Sequence, residues 1–218
     1  DVLENFVSKA GQHIEILKLE EFGPSLFIDS ELQVAEKDEK KYSGQFVGSA
    51  LNLCKNNSSP AIIGGGDGGV ARELSSKGFD LIDWYELDPE VVKVCQKHLL
   101  KVCGDIKANN KVKTYWGDAF ESIKKVKNSK YDKIFVDLND DQFCIDLAAK
   151  NMKGLKRILK PGGIITAQVG CMSKKPRQVK NWLELLRSNF GNVVLDEVFI
   201  PSFDCRWNFA SSSNKNYS

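Results

Sequence analysis

The run Ile62-Ile63-Gly64-Gly65-Gly66-Asp67-Gly68-Gly69 sets an apolar strand end against five glycines and a single carboxylate. Glycines at a strand-to-helix turn let the backbone turn sharply and approach a ligand closely. Alone, such a loop fits a dinucleotide, an S-adenosyl compound or a plain tight turn. Asp67 narrows the choice, because a carboxylate inside the loop repels a pyrophosphate and attracts a cation, either a sulfonium or an ammonium. Glu86, about twenty residues further on in Tyr85-Glu86-Leu87-Asp88, is placed to accept from both ribose hydroxyls of an adenosine group. Asp118, in Trp116-Gly117-Asp118-Ala119, is placed to accept from an adenine amino group. Asp137 follows in Phe135-Val136-Asp137-Leu138-Asn139-Asp140-Asp141, over the reactive end of such a ligand. Asp137 and Asp140 together can hold a polycationic amine and take its proton as it attacks carbon. Asp140 or Asp141 serves equally well as a helix N-cap.

These side chains must be positioned by the ends of strands. The first forty residues alternate like an antiparallel β unit, with strands expected over 13–19, 25–29 and 32–34, and a helix over 38–54 ending at Asn56-Asn57-Ser58-Ser59-Pro60. Beyond Pro60 short apolar runs alternate with helical periods. Strands are expected at 61–63, 81–87, 112–116, 133–138 and 164–169, and helices at 69–77, 89–102, 119–125, 145–159 and 178–189. Lys160-Pro161-Gly162-Gly163 reads as a turn, strands 193–200 and 207–211 as an antiparallel edge hairpin, and 211–218 as a frayed tail. Repeated βα units predict an α/β fold with a mostly parallel sheet covered on both faces. The chain divides into an N-terminal β unit, 1–37, and a larger domain, 38–218. Trp84, Tyr85 and Trp116 read as core residues, and Arg72 with Glu73 as a salt-bridged pair.

With 218 residues, 42% of them hydrophobic and 28% charged, the chain has ordinary globular usage. A net charge of +2 argues against a duplex nucleic-acid partner. It averages a deficit in residues 1–45, with ten acids against five bases, and an excess beyond them. Only His13 and His98 are present, and no cysteines share a CxxC spacing, so no metal site is expected. Six cysteines without such patterning read as reduced thiols of a cytosolic protein. No apolar run is long enough for a membrane span, and the start carries no signal pattern.

The run IIGGGDGG resembles the glycine loop of the aminopropyltransferases, the spermidine and spermine synthases, and the likeness extends from about residue 12 to 209. Leu32-Gln33, Glu36-Lys37-Asp38-Glu39 and Tyr42 look like that family's gate segment. Ile200-Pro201-Ser202 resembles its late polyamine-contacting loop. Residues 99–105 and Trp207 look more like spermine synthases than spermidine synthases. The resemblance implies a Rossmann-like, class I methyltransferase-type sheet behind a small N-terminal β unit. It implies aminopropyl transfer from decarboxylated S-adenosylmethionine, a co-substrate rather than a tightly bound cofactor, to putrescine or spermidine, with release of methylthioadenosine. Gln33, Gly64, Gly65, Gly66, Asp67, Glu86, Leu87, Asp118 and Ala119 carry over as donor positions. Tyr42 and Asp137 carry over as the pair that orients and deprotonates the attacking nitrogen, and Asp67, Asp140, Gln168, Phe203 and Asp204 as acceptor positions. A cytoplasmic homodimer is implied as well. Full spermine synthases carry a further N-terminal domain, so a start at Asp1 is expected to be a truncation.

The amine half departs from the family pattern. Ser43-Gly44-Gln45 stands where spermidine synthases have Gln-Glu-Met, and Gly170 where they carry a glutamate. Phe203 replaces a tyrosine, and Cys205 a glutamate, with Asp204 adjacent. Two alternatives stay open: an S-adenosylmethionine-dependent N-methyltransferase on the same scaffold, and a non-catalytic homologue that binds nucleoside or polyamine.

Overall fold

A computed structural model describes residues 1–55, 58–106 and 108–214. Alternation in the first forty residues becomes an antiparallel sheet of β1 (Val2–Val7), β2 (His13–Leu19), β3 (Gly23–Ile28) and β4 (Glu31–Ala35), in that order. Ile14 and Ile16 of β2 point inward and are fully buried, while their neighbours face out. β1 was not anticipated; it is a half-exposed edge strand whose pairing with β2 slips between Val2 and Glu4, so its alternation is weak.

Helix α1 (Glu39–Leu53) then leads to β5 (Pro60–Gly64), α2 (Gly69–Ser76), β6 (Ile82–Glu86), α3 (Pro89–His98), α4 (Leu100–Cys103), β7 (Val112–Trp116) and α5 (Ala119–Ile123). β8 (Tyr131–Asp137), α6 (Gln142–Ile158), β9 (Leu159–Cys171), α7 (Pro176–Phe190), β10 (Val194–Ile200), a 3₁₀ turn at Pro201–Phe203 and β11 (Cys205–Ser213) complete the chain. The large sheet has the order β10-β11-β9-β8-β5-β6-β7; β9, β8, β5, β6 and β7 are parallel, and β11 joins β9 and β10 antiparallel. The expected α/β fold, with its antiparallel edge, is the one found.

Ala61–Ile63 of β5 and Ile134–Val136 of β8 read as apolar runs because both faces of these strands are covered. Phe46, Val47, Val70 and Leu74 of α1 and α2 pack one face, and Phe120, Met152, Trp182 and Leu186 of α5, α6 and α7 pack the other. Val91, Val94 and Cys95 of α3 pack on Ile14 and Ile16, which seats the small sheet over the carboxyl ends of the parallel strands. The chain order reverses between β5 and β8, and that switch point opens a cleft.

Four local expectations give way. The helix expected over 89–102 breaks at Leu99 (φ −124°, ψ 39°), whose side chain is fully buried. The Lys160–Gly163 turn is instead part of β9, because Gly162 donates to the carbonyl of Asn214 and Asn214 to that of Gly163, each at 2.7 Å. The same pairing draws Ser211, Ser212 and Ser213 into β11, while 215–218 of the expected tail, like Asn56-Asn57, lie outside the described residues. Trp116 is half-exposed rather than core.

The cysteine reading is corrected too. Cys171 and Cys205 form a disulfide, with Cα atoms 6.3 Å apart. They are distant in sequence, and the antiparallel pairing of β9 with β11 brings them within bridging range. Cys54, Cys95, Cys103 and Cys144 are free thiols. Among the described residues no helix is long and apolar enough to cross a membrane.

Candidate active site

The glycine loop begins where β5 ends. Gly64 and Gly65 take left-handed φ values of 83° and 70°. At Gly65 a side chain would be doubly disfavoured, since its Cβ would also lie 2.8 Å from an Asp137 carboxylate oxygen. The Gly65 amide donates to the Asp137 carbonyl at 3.0 Å, which locks the loop to the end of β8. Trp84 is core, as expected, and its indole N–H also donates to the Gly64 carbonyl at 2.7 Å, fixing the loop from below. Asp67 stays within the loop by accepting from the Gly69 amide at 2.7 Å.

Above the loop lies a cavity of about 880 Å³. Gly64, Gly65, Gly66 and Asp67 form its floor, Glu86 and Leu87 follow β6, and Asp118 and Ala119 open α5. Asp137, Asp140 and Gln168 come from the ends of β8 and β9, Gln33 from β4, Tyr42 from α1 and Phe203 from the 3₁₀ turn. The sequence-predicted residues thus converge on one cavity, with a single exception. Asp204 is exposed and lies off the cavity wall, because its left-handed backbone (φ 46°) turns it outward at the tip of the β10–β11 connection.

Several of these carboxylates also have structural partners. Glu86 accepts from the Asp88 amide at 2.9 Å, Asp118 caps α5 through the Phe120 amide at 2.8 Å, and Asp141, not Asp140, caps α6 through the Cys144 amide. Gln33 donates to the Glu31 carbonyl at 3.1 Å. At the centre the Tyr42 hydroxyl donates to an Asp137 carboxylate oxygen at 2.6 Å. The Tyr42 ring is held by Phe46, Phe203 and Phe209 at centroid distances of 5.1 to 6.3 Å. Asp38 secures the 3₁₀ turn from the start of α1, accepting from the Ser202 amide at 2.7 Å and its hydroxyl at 2.9 Å.

Eight carboxylates line the cavity against two lysines, Lys174 and Lys175. Burial raises the Asp137 carboxyl to about 6, although the Tyr42 hydrogen bond pulls it down. Burial likewise raises Glu86 to about 7. Asp67 is pushed well above the ordinary range, first by burial and then by the charge of Asp137. Tyr42 is held well above its own range by burial and by Asp137. Burial and mutual repulsion thus favour the protonated forms of these carboxyls.

Near Asp140 the cavity wall contains two residues that carried no sequence signal, Lys174 and Lys175. Lys175, just before α7, places its ammonium 3.1 Å from Asp140 and 3.6 Å from Glu31. Burial presses its pKa down, but those two carboxylates outweigh it and hold it above the ordinary value. Lys174 donates to the Phe203 carbonyl at 2.7 Å. Gln168 donates to the Leu138 carbonyl and accepts from the Trp207 indole at 3.1 Å. Asp29, Glu31 and Gln12 of the small sheet also reach the cavity. Only tertiary packing places them there. Arg72 and Glu73 do pair, at 3.4 Å, but the shorter contact, 2.5 Å, runs from Arg72 to the buried Glu39.

Sheet order, glycine loop and acidic strand ends define a methyltransferase-like fold with its ligand cleft over the parallel strands. The family model described as the spermine/spermidine synthase domain matches residues 39–218. A polyamine aminopropyltransferase of Prochlorococcus marinus (strain MIT 9215) is 32% identical, over 97% of this chain and 78% of its own length. One from Korarchaeum cryptofilum is 27% identical, over 98% and 67%. The chain belongs to the spermine/spermidine synthase family. Its fold matches a spermidine synthase solved with the transition-state analogue AdoDATO, at a TM-score of 0.87 and 22% identity, over 98% of this chain and 73% of that one. The spermidine synthase of Thermotoga maritima gives a TM-score of 0.85 at 22% identity, over 98% and 72%.

Proposed function

We propose that this protein transfers the aminopropyl group of decarboxylated S-adenosylmethionine to a polyamine and releases methylthioadenosine. The observation that carries the reading is the Tyr42–Asp137 hydrogen bond, 2.6 Å, inside a cavity walled by Asp67, Glu86 and Asp118. Glu86 accepts from the ribose hydroxyls, Asp118 from the adenine amino group, and Leu87 and Ala119 flank the base. Gly64, Gly65 and Gly66 let the backbone lie against the donor, and Asp67 with Gln33 faces its cationic tail.

An ammonium has no lone pair, so the acceptor nitrogen must first lose a proton. Asp137 takes it, directly or through the Tyr42 hydroxyl, and at about 6 its carboxyl lies nearer the working pH than an ordinary aspartate does. The freed lone pair attacks the carbon next to the sulfonium. The carbon–sulfur bond breaks, its electron pair returns to sulfur, and the cationic donor leaves as a neutral thioether while nitrogen takes up the positive charge. Alignment of nitrogen, carbon and sulfur supplies most of the acceleration. Asp140, Gln168 and Phe203 face the remainder of the acceptor.

The family relationship supports a homodimer working in the cytoplasm. Four unpaired cysteines agree with a reducing compartment, and the Cys171–Cys205 disulfide is the one feature that runs against it. Incubation with decarboxylated S-adenosylmethionine and a panel of di- and polyamines tests the reading. Methylthioadenosine should appear one-to-one with an aminopropylated amine. No turnover with any amine would overturn it.

A further inference from the structure

Resting on that transferase reading, the amine end contains a charge that transfer does not require. The backbone of Lys175 is anchored: its amide donates to the Cys171 carbonyl at 2.8 Å, and Pro176 begins α7 immediately after it. Its ammonium sits between Asp140 and Glu31, at 3.1 and 3.6 Å. Asp140 is 7% exposed and cannot retreat far, because its carboxylate lies over Gly170. Gly170 has a left-handed φ of 89°, and a Cβ there would come within 2.8 Å of Asp140. The neighbouring Lys174 is directed elsewhere, to the Phe203 carbonyl. An acceptor whose reacting nitrogen rests at Tyr42 and Asp137 therefore meets an Asp140 already neutralised by a tethered cation.

We propose that Lys175 is a specificity-determining residue, whose ammonium occupies the place between Asp140 and Glu31 that the distal ammonium of the acceptor would take. A tethered charge competes at high effective concentration. Two ammonium groups cannot share one carboxylate without mutual repulsion. Lys175 thus weakens binding of amines whose second charge reaches Asp140 and leaves the nucleoside end untouched.

The test compares Lys175→Met and Lys175→Arg with the unaltered protein, using 1,4-diaminobutane as acceptor. Calorimetric titration into protein saturated with methylthioadenosine reads binding without chemistry. Lys175→Met should bind the diamine about tenfold more tightly, roughly 1.4 kcal/mol. Its acceptor KM should fall in step, with the change in KM rather than kcat and the donor KM within about twofold. Lys175→Arg keeps the cation and should behave like the unaltered protein. Unchanged or weaker diamine binding in Lys175→Met overturns the proposal, as does tighter binding in both variants. Tighter binding in Lys175→Met alone, with no turnover by any of the three proteins, sustains the lysine's role and overturns the transferase reading.

Discussion

Asp137 accepts the Tyr42 hydroxyl, closes on the glycine loop and is proposed to take the proton of the incoming amine. Asp137→Asn keeps the shape and loses the base, so kcat should fall by about 100-fold or more in steady-state assays. Tyr42→Phe removes one hydrogen bond and should cost about tenfold. Equal losses in the two variants would show that the proton reaches Asp137 through the phenol, and a larger loss in Tyr42→Phe would contradict Asp137 as the base. Glu86 offers a separate check through stability. Its carboxyl lies at about 7 in the folded protein, against an ordinary value of 4.5. Between those values the native state holds more protons than the unfolded state, so stability falls as pH rises across that window. Glu86→Gln removes the penalty and can still accept from the Asp88 amide. At pH 8 it should raise the Tm by about 5 °C, with the difference closing near pH 4. A Tm difference independent of pH would count against this assignment. Glu86 and Asp137 were legible in the sequence because each closes a strand, and Asp67 and Asp118 because each lies in the turn just after one, where open α/β sheets bind ligands. Lys175 was not, since a lysine before a proline differs in no local way from the many surface lysines.

Helix α1 carries Tyr42, and α2 begins at the glycine loop that is locked to Asp137, so the proposed catalytic pair depends on how these two elements meet. Arg72 of α2 joins them, donating to Glu39 at 2.5 Å, to Ser43 at 2.8 Å and to the Val102 carbonyl at 2.7 Å. Glu39 is almost fully buried, and burial raises its carboxyl against the pull of Arg72. Arg72→Met would strand that carboxylate and cost about 3 kcal/mol in denaturant unfolding. Lys at this position cannot reach three acceptors in a plane and should restore little of the loss. A loss below about 0.5 kcal/mol would show the ion pair to be a surface-like contact. Most elements were legible from periodicity. The misses were β1, the break at Leu99, the start of β9 and the continuation of β11 through Ser213, each decided by partners remote in sequence. The Cys171–Cys205 bridge was hidden for the same reason, as it joins two strands that become neighbours only in the folded sheet.

Across the whole molecule the modest net charge of +2 conceals a cavity whose wall is dominated by carboxylates. Asp29, Glu31 and Gln33 reach it from the small sheet, so we propose that the unit 1–37 completes the donor and acceptor ends rather than merely preceding them. An acidic cavity should also choose between donors. The intact donor carries a carboxylate that Asp67 repels, and the decarboxylated form should bind about tenfold more tightly by calorimetry. The nucleoside product offers the most direct test of the central claim, that aminopropyl rather than methyl moves to the amine. The protein is supplied with both donors in equal amounts and one amine acceptor, and the nucleosides are separated by chromatography. Methylthioadenosine, formed one-to-one with aminopropylated amine and lost in Asp137→Asn, is the predicted result. Accumulation of S-adenosylhomocysteine with a methylated amine would contradict it.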